Sequence, residues 1–212
     1  MKNPSGGRLR DERRRSLRER LIAAREAIDP ARRAAYSAAI EAGLEALLDR
    51  LSPRSIGFCW PFRGEFDCRA LVARRIGGGA RAALPVIVAP AAPMVFREWS
   101  PGAEMAEGRF GIPVPAEGGI LVPELVLLPL NGFDRQGYRL GYGGGYFDRT
   151  LASLDPTPLT AGIGFELSRL DSIEPNEHDV PLDYVVTEAG VFARRSGRLT
   201  LLGHPPADAA GA

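Results

Sequence analysis

Residues 125–130, LVLLPL, are six consecutive apolar residues bounded by Glu124 on one side and Asn131-Gly132 on the other. A run so short and unbroken offers no polar face to water, so it predicts a strand covered on both sides. Strands of that kind belong to largely parallel sheets layered between helices. The rest of the chain agrees. SIGFCW (55–60), ARAALPVI (80–87), MVFREW (94–99), TAGIGFEL (160–167) and YVVTEAGVF (184–192) are short apolar or alternating runs bounded by Gly, Pro or Asp. Helical segments fall between some of them, near residues 66–76 and 145–153. The expected fold is α/β: an open, mainly parallel sheet flanked by helices in Rossmann-like layers.

Ahead of the first strand, residues 11–28 and 30–51 are rich in Ala, Leu, Arg and Glu, and Asp29-Pro30 separates them as cap and first helical residue. That predicts an N-terminal helical pair over residues 10–51. A chain of 212 residues with 45% apolar content can bury one sizeable core. A single α/β domain over residues 1–203 follows, with residues 204–212 as a disordered tail. Residues 100–123, SPGAEMAEGRFGIPVPAEGGILVP, read as a long Gly/Pro loop.

Charge narrows the function classes. The net charge is only +1, yet residues 8–33 hold ten Arg against five acids, so the basic excess belongs to the N-terminus. No stretch approaches the roughly 20 apolar residues of a membrane span, and no signal-peptide apolar core is present, so a cytoplasmic protein without membrane contact is expected. Cys59, Cys68, His178 and His204 are scattered without zinc spacing, and both thiols read as reduced structural residues. No exposed apolar stripe suggests an interface, which points to a monomer.

Residues 139–148, RLGYGGGYFD, carry the chemistry. The loop follows a strand of the parallel sheet and leads into a helix, where such sheets bind ligands. A Walker A loop requires G-x-x-x-x-G-K-[ST], and the only lysine is Lys2; the dinucleotide series G-x-G-x-x-G fails as well, since Gly141 opens G-Y-G-G-G-Y. What remains is a nest of backbone N–H groups at a helix start, flanked by Arg139 and Arg149, able to hold a phosphate without lysine. Asp148 would repel a bare phosphate unless Mg²⁺ lies between them. A plain glycine turn with a surface Asp148–Arg149 pair is the bland alternative.

Residues 133–151, FDRQGYRLGYGGGYFDRTL, resemble the signature of the 5-formyltetrahydrofolate cyclo-ligases, also called methenyltetrahydrofolate synthetases. The likeness extends to RRSLR (14–18), similar to that family's basic nucleotide-binding motif, and RGEFD (63–67), similar to its folate-binding glutamate segment. FGIPVP (110–115) resembles its substrate loop and NEHDVPLDYVVTE (176–188) its closing motif. Together these motifs cover nearly all of residues 14–192 in family order.

The resemblance implies an ATP-dependent conversion of 5-formyltetrahydrofolate to 5,10-methenyltetrahydrofolate, with ADP and phosphate released. The formyl oxygen is a poor leaving group, so the family is understood to phosphorylate it before N10 closes the ring. Such a step rests on positioning and charge neutralisation, which suits a chain with no Ser-His-Asp or Cys-His arrangement. By the same resemblance, Arg14, Arg18, Arg139, Leu140, Gly141, Tyr142, Gly143, Gly144, Gly145, Tyr146 and Phe147 would surround ATP, and Tyr142 to Tyr146 would also face the folate. Arg139, Tyr146 and Asp148 would be catalytic, and Asp148 and Asp179 would share Mg²⁺. Glu65 would bind substrate, because a carboxylate suits the paired N–H donors of a pterin edge; the bland alternative is a solvated Glu at a helix start. Phe110 would stack on folate. Trp60 is either a pocket residue or core, and His178 is expected to orient its loop.

Arg14, Arg18 and Arg25 can share one helical face, which by resemblance folds over the ATP phosphates, with Arg14 where relatives carry Lys. Arg13 and Arg15 should be solvated. The rival reading of this helix is RNA binding, opposed by the acidic remainder of the chain and the lack of interleaved aromatics. Gly144 replaces a Lys and Ser168 a Gln found in relatives, which leaves open a nucleotide-binding relative acting on a different small molecule.

Overall fold

Two helices lead into the sheet of the computed structural model, which describes residues 4–204, with side chains from residue 8 onward. Of the expected tail, only His204 is among the described residues. α1 spans Pro4–Glu26 and α2 spans Pro30–Leu51. The Asp29 carboxylate accepts hydrogen bonds from the backbone N–H groups of Ala31 at 3.0 Å and Arg32 at 3.1 Å, and Pro30 follows as the first helical residue. In α2, Ile40, Leu44, Leu47 and Leu48 recur at helical spacing and are all buried.

The strands are β1 (Ser55–Gly57), β2 (Arg81–Val86), β3 (Val95–Trp99), β4 (Met105–Glu107), β5 (Pro113–Pro115), β6 (Leu125–Pro129), β7 (Gly132–Asp134), β8 (Arg139–Leu140), β9 (Leu159–Ile163), β10 (Arg169–Leu170), β11 (Tyr184–Thr187), β12 (Gly190–Arg195) and β13 (Arg198–Gly203). Helix α3 (Arg69–Gly77) lies between β1 and β2, and α4 (Tyr146–Ser153) between β8 and β9. An eight-stranded sheet runs β13-β12-β11-β9-β6-β1-β2-β3. Its five central strands, β11 to β2, are parallel, and antiparallel strands extend both edges. The open, mainly parallel sheet flanked by helices, with its N-terminal helical pair, is the expected architecture.

LVLLPL behaves as its composition demands. Leu125 and Leu127 enter the cluster built with α2 and α3, while Val126 and Leu128 enter the cluster on the opposite face with Leu151 of α4. All four are essentially inaccessible. Truncating such a leucine to alanine costs about 2–5 kcal/mol, so β6 tolerates little change.

Three expectations need correction. The run 184–192 is a hairpin, β11 and β12, because Glu188-Ala189 turns the chain before Gly190. Residues 100–123 contain the hairpin β4–β5 and are not loop throughout. The glycine run does not follow β6 directly, since a small sheet, β10-β7-β8, intervenes. Asp134 ties its turn, accepting from the backbone N–H of Gln136 at 2.9 Å and Tyr138 at 3.1 Å.

Candidate active site

β1 continues through α3 to β2 on one side, while β6 pairs its other side. The chain thus leaves the carboxyl ends of β1 and β6 in opposite directions and opens a crevice between them. Residues 58–65 after β1 and Leu130-Asn131 after β6 form its walls. The β7–β8 hairpin carries the glycine loop to its mouth.

On one flank, charges alternate. Arg139, on β8, is buried and donates from Nη2 to Asp148 Oδ1 at 2.9 Å and from Nη1 to the carbonyl of Val180 at 2.8 Å. Burial lowers the pKa of its guanidinium, and the adjacent Asp148 opposes that push. Asp148, in the first turn of α4, also accepts from the N–H of Val180 at 3.1 Å. One residue earlier, Asp179 takes the Arg14 guanidinium at 2.7 Å and 3.4 Å. Arg18, one turn on from Arg14, donates to the Gly141 carbonyl; burial, then the nearby Arg14, lower its pKa. Arg14 and Arg18 therefore clamp α1 across the two ends of the site.

The loop itself is a cradle. Gly143 at φ 89° and Gly145 at φ 63° occupy left-handed backbone that residues with a Cβ disfavour. Gly145 caps α4 without any side-chain acceptor, which leaves the first N–H groups of the helix for a ligand. Arg149 curls back to donate to the Gly144 carbonyl at 2.6 Å and lies 5.1 Å from the Tyr146 ring centroid. Leu140 is buried beneath the loop and Phe147 packs into the core behind it.

The other flank holds Glu65. Its Oε1 accepts from the Tyr142 hydroxyl at 2.6 Å and its Oε2 from the N–H of Phe62 at 3.0 Å. Only 5% of the Glu65 side chain is exposed, and burial pushes its pKa up despite Tyr142, Arg25 and Phe62, which oppose the shift. The bland expectation of a solvated Glu at a helix start is therefore wrong. Tyr142 belongs to the glycine loop, so a single residue joins the two flanks.

Two expected substrate residues lie elsewhere in contact. Trp60 is half-buried against the α2–α3 core with the Arg69 guanidinium 4.3 Å over its ring, which favours the packing role. Phe110 is 65% exposed, with Arg109 at 5.2 Å from its ring, on a hairpin tied to the outer strand β3 through Arg97. The backbone N–H of His178 donates to Asn176 Oδ1 at 2.8 Å, and its ring is exposed beside Glu177. Arg13 and Arg15 are exposed as expected. Ser168 is buried beneath α1.

Spacing puts Arg25 on one helical face with Arg14 and Arg18, the face expected over the phosphates, but the structure sets it on the Glu65 flank instead. It is 2% exposed and reaches the crevice, donating to the carbonyls of Arg63 and Leu130 and to Asn131 Oδ1, each at 3.0 Å. Its remaining nitrogen donates to the Tyr142 hydroxyl at 3.3 Å and lies 3.8 Å from Glu65. Sequence offered one usable signal, an arginine in register with buried Leu21 and Ile22.

Among the described residues there is no cluster of three or more metal-ligating side chains. Both hydrogen bonds to Asp148 fall on Oδ1, which leaves Oδ2 as the oxygen that could ligate a metal, whereas both Asp179 oxygens are engaged by Arg14. With Arg14 displaced from Asp179, the pair could take a magnesium ion delivered with phosphate oxygens, since that ion leans on substrate and water and does not require a protein cage. Cys59 and Cys68 are free, Cys68 buried and Cys59 half-buried, and desolvation raises both thiols, Cys68 to about 12, so neither is a thiolate nucleophile.

The chain is similar in sequence to the 5-formyltetrahydrofolate cyclo-ligase of Mycolicibacterium smegmatis, 31% identical over 84% of this chain and 96% of that protein. It is also 30% identical to the Escherichia coli 5-formyltetrahydrofolate cyclo-ligase over 62% of this chain and 76% of that one. The NMR structure of Aquifex aeolicus 5,10-methenyltetrahydrofolate synthetase superposes with a TM-score of 0.75 at 26% identity, covering 90% of this chain and 97% of that one. The Mycoplasma pneumoniae enzyme of the same name, at 23% identity and a TM-score of 0.67, shares the fold. Residues 10–188, which contain every side chain of the crevice just described, match the 5-formyltetrahydrofolate cyclo-ligase family, and the chain belongs to it.

Proposed function

We propose that this protein uses ATP to convert 5-formyltetrahydrofolate to 5,10-methenyltetrahydrofolate, with Arg139, Tyr146 and Asp148 at the reacting phosphate and Glu65 at the pterin. The observation that carries this reading is Tyr142, whose hydroxyl ties the glycine loop to the buried Glu65 carboxylate on the opposite flank. In the reaction, the formyl oxygen takes the γ-phosphoryl group as its bond to ADP breaks. N10 then attacks the formyl carbon and loses its proton, and phosphate leaves with the oxygen. No protein nucleophile is required.

The residues have separable tasks. The glycine backbone from Gly141 to Gly145 and the open N–H groups of α4 receive phosphate oxygens, with Leu140 and Phe147 supporting them from the core. Arg14 and Arg18 bring positive charge from α1, and Arg149 supplies at the loop the charge that relatives with Lys in place of Gly144 obtain there. Mg²⁺, held by Asp148 and Asp179 together with phosphate oxygens, would neutralise charge on the transferring group. Binding it requires Arg14 to leave Asp179, which frees that guanidinium for the nucleotide. Glu65 accepts from the pterin edge once the Tyr142 hydroxyl moves aside.

Arg14, Arg18 and Arg25 are turned onto protein acceptors, and Ser168 is buried, so these residues lend support to neither alternative. No helix among the described residues is long and apolar enough to cross a membrane. The reading carries ATP and reduced folate as ligands of a cytoplasmic monomer built as one domain.

The direct test is the near-ultraviolet absorbance of 5-formyltetrahydrofolate with the purified protein and Mg-ATP, because the methenyl product absorbs where the substrate does not. The expected result is a rise that requires ATP. No rise from folded, ATP-binding protein would overturn the assignment. Gly143→Ala tests the cradle separately: left-handed backbone with a Cβ costs about 1–2 kcal/mol, and the new Cβ would lie 3.1 Å from the Arg18 guanidinium. Calorimetric titration should show ATP affinity reduced by roughly tenfold, or about 1.4 kcal/mol.

A further inference from the structure

The geometry points to Arg25 as a positioning residue for substrate: it fixes the Glu65 carboxylate and the Tyr142 phenol against the carboxyl end of β6, and so sets folate recognition from the N-terminal helix. The inference rests on the reading of Glu65 as the pterin acceptor.

α1 is mostly polar, and among its described side chains the buried ones are Leu21, Ile22 and Arg25. A buried arginine far from a full carboxylate contact is costly unless its donors are satisfied. Here the fork is satisfied by geometry that spans three separate segments: Arg63 after β1, Leu130 and Asn131 after β6, and Tyr142 of the glycine loop. Three bonds at 3.0 Å hold the guanidinium to fixed backbone and Asn131, while the remaining nitrogen faces Glu65 at 3.8 Å and Tyr142 at 3.3 Å. The guanidinium is thus anchored on one side and presents charge to the ligand groups on the other. When Tyr142 yields to a pterin, Arg25 remains beside the carboxylate.

The surroundings define what Arg25 does electrically. Facing Glu65 are the Tyr142 phenol, the Phe62 N–H and the neutral thiols of Cys59 and Cys68, which line a small cavity with it. Arg33 is engaged with the carbonyls of Gly64 and Arg25, and Arg63 with Glu26. Arg25 is therefore the cation that opposes the upward push of burial on the Glu65 pKa. Removing it should leave Glu65 protonated to a higher pH and less well aimed.

Arg25→Gln and Arg25→Lys test this alongside Glu65→Gln, by separate calorimetric titrations with 5-formyltetrahydrofolate and with Mg-ATP. For Arg25→Gln, the expected result is folate affinity reduced by roughly tenfold or more, with ATP affinity within about twofold of wild type. In the Glu65→Gln background, Arg25→Gln should add less than about twofold, because the group it positions is gone. The pH at which folate affinity fails on acidification should rise in Arg25→Gln and return toward wild type in Arg25→Lys. Unchanged folate affinity, equal losses for both ligands, or fully additive losses would each overturn the role and leave Arg25 as a strut for α1. If Arg25→Gln does not fold, the pH limb and ligand selectivity of Arg25→Lys decide: a folate-selective loss supports positioning, and an equal loss refutes it. Folate binding undisturbed by Glu65→Gln would instead overturn the assignment of Glu65.

Discussion

Asp148→Asn should lower turnover by about 10²–10³-fold, the scale of removing one fixed electrostatic stabiliser from a transferring group, while leaving the fold in place. The asparagine oxygen can still accept from Arg139 and from the N–H of Val180, which now meet on Asp148 Oδ1. What it cannot supply is an anionic oxygen for magnesium. Asp148→Ala is a different experiment. It strips the carboxylate from Arg139, whose side chain is only 4% exposed, and an unpartnered buried charge costs about 3 kcal/mol or more. For a domain of this size, that lowers the melting temperature by roughly 6–12 °C. The asparagine variant therefore separates chemistry from stability, with turnover and thermal melting measured side by side. Near-normal turnover with Mg-ATP in Asp148→Asn would remove the metal role; lost turnover with an Ala-like melting loss would leave the role undecided between chemistry and support, and the dependence of residual activity on Mg²⁺ concentration would then assign it.

The layers of the fold were legible because each central strand is short, apolar and punctuated. Leu125 to Leu128 had to be covered on both faces, and the helices that cover them announce themselves through Asp29-Pro30 and through the spacing of Ile40, Leu44 and Leu47. The small sheet of β7, β8 and β10 was not legible, since two- and three-residue strands carry no period. In the site, residue types and order identified the loop and its flanking charges. Pairing was hidden: nothing in the spacing of Arg14 and Asp179, 165 positions apart, predicts that they meet. Arg25 shows the limit most clearly. Its helical face was readable, but its burial depends on where the ends of β1 and β6 lie, and that is a property of the assembled sheet.

Glu65→Gln should reduce affinity for 5-formyltetrahydrofolate by about 100-fold, since hydrogen bonds to a charged group contribute about 1.5–3 kcal/mol each, and should leave ATP binding unaltered. The substitution keeps the shape and can keep one acceptor for Tyr142, so the loss reports the missing charge and its second oxygen. The pH dependence sharpens the test. Burial raises the Glu65 pKa above the ordinary carboxylate range, and a pterin edge of N–H donors requires the ionised form, so wild-type affinity is full above that raised pKa and is lost as the pH falls through it. Glu65→Gln has no proton to take up there and should show a flat profile at its lower affinity. The stability slope has the opposite sense. A carboxyl whose folded pKa exceeds its unfolded value binds more protons in the folded state, so stability declines as the pH rises from the unfolded value through the folded one. The glutamine variant should lose that slope too. Folate titrations and urea midpoints across this range would then show the same residue favouring ligand binding at the pH where its charge weakens the empty fold, which is what an acceptor held ready in a closed pocket entails.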